Sequence, residues 1–213
     1  ASTASAGRGG PWRRVSSPAK ALAEKKSYPL KILDAYSKQE VDMRIENIDA
    51  LHISEEEQAA SVISEADVIG TAVGVKYLPS IAPLLAKGLV VRKQRGGGPV
   101  DIYLCENILD AAEQLETAVK GELDSEEERN WVEEYVGFVG TTVARMVPVI
   151  DPALREEEPL LVVADSYHKL PYNGAAAKAA QPPIEGMYPV SNFKAEVERK
   201  LFVYKIGRAS CRE

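Results

Sequence analysis

Lys200 lies in Val190–Tyr204 (VSNFKAEVERKLFVY), where a helical rotation of about 100° per residue sets Phe193, Val197, Leu201 and Tyr204 on one narrow stripe with the lysine inside it. Turning an amine toward an apolar interior disfavours its charged form and draws its pKa below the usual ~10.4. Such a lysine either has a partner or a task, or it snorkels, with its stem along apolar surface and its ammonium in water. Asn107 follows Cys105 and Glu106 at the expected carboxyl end of a strand, where its amide either caps the next helix or meets a ligand. Asp165 stands at the end of another apolar run, Leu160–Ala164.

These positions need a scaffold, and the hydrophobic pattern supplies one. Glu55–Ala66 carries Ala59, Val62, Ile63 and Ala66 at helical spacing and leads into Asp67–Gly74 (DVIGTAVG), an apolar run ending in glycine that reads as a buried parallel strand. A helix bearing Ile81, Leu84 and Leu85 follows, punctuated by Ser80, Pro83 and Gly88. The unit repeats: Val100–Cys105 as strand, Glu106-Asn107 as its carboxyl end, and Leu109–Lys120 as helix, stopped at Gly121. Strands alternating with helices imply an α/β fold with a doubly wound parallel sheet. Ligands of such sheets lie beyond the strands' carboxyl ends, so Thr71, Ala72, Val73, Gly74, Glu106 and Asn107 are expected to line one crevice.

Ser125 and Glu128 have the spacing of a capping box for a helix holding Trp131, Val132 and Tyr135, and Val136–Val139 and Thr141–Val149 read as extended. Leu30–Ala35 and Glu40–Ile45 suggest strands near a sheet edge, after a short helix from Ala19. Residues 1–18 are small, polar and Gly/Ser-rich without apolar period, and are expected to be a disordered tail. Gly7-Arg8-Gly9-Gly10 lacks the flanking strand and helix that a phosphate-cradling loop needs. The Pro-, Gly- and Ala-rich stretch 171–186 reads as a connection, which puts a domain boundary near Met187: a sheet domain over 19–186 and the opening of a second domain over 187–205.

Composition narrows the partners. A chain of 213 residues, 45% hydrophobic, is long enough for one full core, and a net charge of -6 with no basic cluster on an aromatic face argues against nucleic acid. No apolar run approaches the ~18 residues of a membrane span. Cys105 and Cys211 form no disulfide framework and suit a reducing compartment, so the cytoplasm is the expected location.

The stretches ADVIGTAVG (66–74), IAPLLAKGLVVRKQ (81–94), CEN (105–107), WVEEYVGFV (131–139), ARMVP (144–148) and VERKLF (197–202) together resemble the mannitol-1-phosphate 5-dehydrogenase family, within the polyol-specific long-chain dehydrogenases. The resemblance runs from about Ser27 to Tyr204. It implies a Rossmann-like, NAD-binding sheet domain followed by an all-helical substrate domain, of which only the first helix falls within this chain. It further implies metal-independent interconversion of D-mannitol 1-phosphate and D-fructose 6-phosphate. On this resemblance Lys200 is the general base, Asn107 holds the reacting oxygen, Thr71, Ala72, Val73, Gly74, Glu106 and Asn107 face the cofactor, and Asp165 and Lys200 face the substrate. Oxidising a secondary alcohol asks for such a base, because the hydroxyl proton must leave as hydride moves.

The chain departs from the family at both ends. The opening strand with its G-x-G-x-x-G loop is absent, and Lys205 and Arg208 occupy the family's asparagine and histidine positions. Ile206–Glu213 (IGRASCRE) reads as a non-native tail resembling a translated sequencing adapter. The expectation is an incomplete dehydrogenase that does not turn over as it stands. A relative acting on free mannitol or a hexuronate, or a noncatalytic nucleotide-binding module, are the alternatives.

Overall fold

The computed structural model describes residues 18–34, 37, 39–106, 108 and 110–200. Residues 1–17, Asn107 and 201–213, including the expected tails, Lys205 and Arg208, lie outside the described residues.

The chain opens with α1 (Pro18–Lys25), β1 (Ser27–Leu33), β2 (Glu40–Glu46) and α2 (Glu56–Glu65). β3 (Ile69–Thr71), a 3-10 helix (Val75–Ile81), α3 (Ala82–Gln94), β4 (Val100–Leu104), α4 (Ala111–Gly121), α5 (Glu126–Tyr135) and β5 (Val136–Gly140) follow. Then come α6 (Pro152–Glu157), β6 (Val162–Asp165), β7 (Leu170–Asn173), β8 (Met187–Val190) and α7 (Phe193–Arg199). Pro18, assigned to the tail by composition, begins α1, as its fixed φ allows at a helix start.

Contacts divide the described residues into two compact units, one of 18–54 with 146–166, the other of 55–145 with 167–200. In the first, β1 pairs antiparallel with β2 and parallel with β6, giving the order β2-β1-β6. β2 is the edge strand, with Val41 and Met43 exposed, and Lys31 on β1 pairs across to Glu40 at 3.0 Å. The Glu40 hydrogen bond, followed by the charge of Asp42, raises the Lys31 pKa.

In the second unit β3, β4 and β5 form a parallel sheet in that order. All five residues of β4 are buried, the pattern of a central strand covered on both faces. Ile102, Leu104, Leu89, Leu115, Val119 and Val132 belong to one core cluster that joins the sheet to α3, α4 and α5. Asp101 is buried in the middle of β4, and its Oδ1 accepts the backbone N–H groups of Lys178 at 2.7 Å and Ala179 at 3.3 Å. A buried carboxylate kept paired in this way ties residues 176–179 to the sheet. Gly137 of β5 permits that approach, since a Cβ there would stand 2.1 Å from Asp101 Oδ1 and 2.8 Å from the Ala176 carbonyl oxygen. The Ser125–Glu128 capping box is present, with both reciprocal hydrogen bonds closing the start of α5.

Several elements differ from the sequence expectation. α2 buries Ala60 and Ser64, one step round from the expected stripe, and leaves Val62 59% exposed. Its neighbour α3 packs there against Ile63 and Ala60 through Gly88. Thr141–Val149 forms no strand: Thr141 makes one bridge to Tyr172, and Pro148 has no N–H to continue a ladder. Residues 171–173, expected in a loop, belong to β7, which pairs parallel with β8. Met187 begins β8.

Candidate active site

Thr71, Leu104 and Gly140 are register partners across the parallel sheet, so three strands end level. The backbone continues this row one residue further, with Cys105 N–H donating to the Thr71 carbonyl oxygen at 3.0 Å and Thr141 N–H to that of Leu104 at 3.2 Å. Side chains beyond the row therefore emerge together, the arrangement in which open α/β sheets place their ligands.

Glu106 reaches from the end of β4 to the turn after β3. Its Oε2 accepts the Thr71 hydroxyl at 2.6 Å and its Oε1 accepts the Val73 N–H at 3.1 Å. Both groups at the Thr71 end are buried, Glu106 at 6% and Thr71 at 3% exposure. A carboxylate with both oxygens engaged inside the protein is a brace for the turn, not a spare acceptor for a ligand hydroxyl. The braced turn, Ala72-Val73-Gly74, is exposed, and Gly74 adopts φ 85°, a backbone region that side-chain-bearing residues rarely enter. No atom stands within 4 Å of where a Gly74 Cβ would be, so the ledge is open.

Beside Glu106 lies a cavity of about 260 Å³ lined by Leu104, Glu106, Ile108, Ala111, Ala112, Gly140, Thr141, Thr142, Phe193, Val197 and Lys200. That is near the lower end of the ~300–1,000 Å³ usual for small-molecule sites, room for one small ligand. α7 presents Phe193, Val197 and Lys200 to it, three residues at the spacing of one helical face. Asn192 caps α7 by accepting the Ala195 N–H at 3.1 Å, which fixes where the helix begins. Lys200 itself is half-buried. Leu201 and Tyr204, the outer part of the stripe, lie outside the described residues.

Asp165 and Asn107 are the other expected site residues. Asp165 closes β6 in the first unit, where its carboxylate accepts the Met146 N–H at 3.1 Å. Asn107 falls outside the described residues, and the N-cap position of α4 is taken by Asp110. Cys105 is half-buried and its thiol is pushed above its ordinary range by burial. Two polar cavity residues escaped the sequence reading, Thr141 and Thr142; the signal for them was available, since they directly follow a strand's carboxyl end. Among the described residues no group of three His, Cys, Asp or Glu side chains is gathered to hold a metal ion, and no helix is long and apolar enough to cross a membrane.

Level parallel strands flanked by helices, with a glycine turn at their carboxyl ends, define a Rossmann-like α/β domain. The chain belongs to the mannitol dehydrogenase family, whose Rossmann domain model matches residues 15–186. Among solved structures, a D-sorbitol dehydrogenase in substrate-free form matches with a TM-score of 0.71 at 16% identity, over 88% of this chain and 48% of that one. Pseudomonas fluorescens mannitol 2-dehydrogenase, in a ternary complex with NAD and D-mannitol, matches with a TM-score of 0.69 at 15% identity, over 86% of this chain and 46% of that one. At such identity the likeness concerns the fold, and this chain spans about half the length of either structure.

Proposed function

We propose that this chain is the sheet domain and the first substrate-domain helix of an NAD-dependent dehydrogenase that interconverts D-mannitol 1-phosphate and D-fructose 6-phosphate. The observation that carries the reading is Lys200: it lines a cavity at the carboxyl ends of β4 and β5, in a chain of the mannitol dehydrogenase family. The open ledge Ala72–Gly74, small and mostly apolar, suits the close approach of a dinucleotide, and Glu106 holds that ledge through Thr71 and Val73. NAD, when bound, supplies the hydride acceptor.

The residues of the chain supply the proton chemistry. In the direction of polyol oxidation Lys200 Nζ, in its neutral form, accepts the proton of the reacting hydroxyl; in ketose reduction the ammonium returns that proton to the carbonyl oxygen. Asn107 enters the proposal from its motif, as an amide donor to the reacting oxygen while negative charge develops there. Asp165 enters likewise as a substrate-side carboxylate. The apolar walls Leu104, Ile108, Ala111 and Val197 limit water around the amine, which strengthens each polar contact made inside. Two cysteines without a disulfide framework suit a reducing compartment, and the cytoplasm is the location that goes with this reading.

The test uses the full-length product of the gene. NADH oxidation is compared with D-fructose 6-phosphate and with D-fructose, and the phosphorylated ketose is expected to be the better substrate. Preference for free fructose would move the assignment to a mannitol 2-dehydrogenase, and turnover of neither would overturn the dehydrogenase reading. Lys200→Ala is expected to lower kcat by about 10²–10⁴-fold, the range of general-base contributions, while NADH binding stays close to that of the parent protein. Retained turnover would remove Lys200 from its role.

A further inference from the structure

Proton transfer by Lys200 makes no use of Thr142. Among the described residues, the Thr142 hydroxyl is the only buried side-chain oxygen or nitrogen without a hydrogen-bond partner. Its neighbour differs: Thr141, also buried, donates its hydroxyl to the Leu104 carbonyl oxygen at 2.7 Å. The Thr142 backbone is satisfied, since its N–H donates to the Pro171 carbonyl oxygen at 2.9 Å, so the deficit belongs to the side chain alone. Buried polar atoms are nearly always paired, and a valine of the same shape would carry no unmet hydrogen bond here.

Thr142 is 2% exposed and lines the Lys200 cavity. Of the carboxylate and hydroxyl groups around that cavity, those of Glu106 and Thr141 are engaged within the protein, which leaves the Thr142 hydroxyl for a ligand. Its oxygen is sealed from solvent. Rotation about χ1 between staggered wells permutes the hydroxyl, the methyl and the β-hydrogen, and the well that puts the methyl where the oxygen had no partner turns the hydroxyl to the place the hydrogen held. We propose that Thr142 is a substrate-recognising residue, its hydroxyl pairing with an oxygen of the polyhydroxylated ligand that occupies the Lys200 cavity. This rests on the dehydrogenase reading and adds to it a polar contact that a polyol or ketose makes and a purely apolar ligand does not.

Thr142→Val and Thr142→Ser in the full-length protein test it, with NADH and the better of D-fructose 6-phosphate and D-fructose. Thr142→Val is expected to lower kcat/KM for the ketose about tenfold, the worth of one hydrogen bond, with the KM for NADH unchanged and Tm equal to or above that of the parent. Thr142→Ser is expected to stay within about threefold of the parent, because it keeps the hydroxyl. A Thr142→Val enzyme with unchanged ketose kcat/KM overturns the proposal. So does one that loses NADH affinity or melts lower, because the residue is then structural. If the parent protein reduces neither ketose, the dehydrogenase reading fails and this inference falls with it; an active parent indifferent to Thr142→Val removes the inference alone.

Discussion

The Thr71 hydroxyl and the Glu106 carboxylate meet at 2.6 Å, bridging the ends of two adjacent parallel strands through a buried hydrogen bond. The same carboxylate holds the Val73 N–H, so one side chain fixes both the strand end and the turn that leaves it. Glu106→Ala removes both contacts and strands a buried hydroxyl. It is expected to cost about 1–3 kcal/mol of stability by denaturant melt and to raise the KM for NADH, because the ledge is no longer held. Glu106→Gln keeps an acceptor for Val73 and a donor for Thr71 Oγ1, and is expected to restore most of both losses. A Glu106→Ala variant as stable as the parent, with an unchanged KM for NADH, would show that the brace is dispensable.

Arg92 is a second brace, on the far side of the same unit. It is buried, and its guanidinium donates to the carbonyl oxygens of Ser64 at 3.0 Å, Ala66 at 2.8 Å and Gly98 at 2.9 Å. These join the end of α2 to the loop before β4. A lysine cannot span them with one ammonium, so Arg92→Lys is expected to lower stability by about 1–3 kcal/mol, measured by urea unfolding, with the ketose KM unmoved.

At Gly137 the expected consequence of a single methyl is large. An alanine Cβ would collide with Asp101 and with the Ala176 backbone, neither of which is a free chain end. Gly137→Ala is expected to destabilise by about 1–3 kcal/mol in a thermal or chemical melt. A neutral result would mean that the 176–179 segment can lift from β4 at no cost.

The Cys105 thiol has a pKa raised above its ordinary 9.0, first by burial, against a lowering by its contact with Thr141 and with a lesser raising by the negative charge of Glu106. The folded protein thus holds this proton more firmly than the unfolded chain. The associated stability is whole below the unfolded value of 9.0 and is lost as pH rises through the higher folded value. In a Cys211→Ser background, alkylation by iodoacetamide is expected to be slow at pH 8 and to accelerate only above pH 9.0. Fast labelling at pH 7 would contradict the burial of this side chain.

Legibility in the sequence followed how local each determinant was. Ser125 and Glu128 announced the α5 start because a capping box is written within four residues. β4 was legible from the run Val100–Leu104, apolar but for Asp101. Lys200 was legible as a member of a stripe with Phe193 and Val197, and the three do share the cavity wall. The composition of the first unit was not legible, because the register of β1 with β6 depends on contacts between distant residues and leaves no periodic mark. The α2 stripe slipped by one position because its buried face includes Ser64, which hydropathy scores as polar although its hydroxyl is satisfied by the Ser61 carbonyl oxygen at 2.7 Å. Glu106 reads as a ligand contact in sequence and as an internal brace in structure; only geometry separates an acceptor that is spent from one that is available.

The parallel pairing of Leu30 with Val162 has a bearing on how the ribosome delivers this protein. β1 leaves the exit tunnel about 130 residues ahead of the strand that completes its sheet. At a translation rate of about 5–20 residues per second, it waits on the order of ten seconds for that strand, paired meanwhile with β2. During that interval a nascent chain carries an open strand edge, and a chaperone or a slower codon stretch near residue 160 would change its yield.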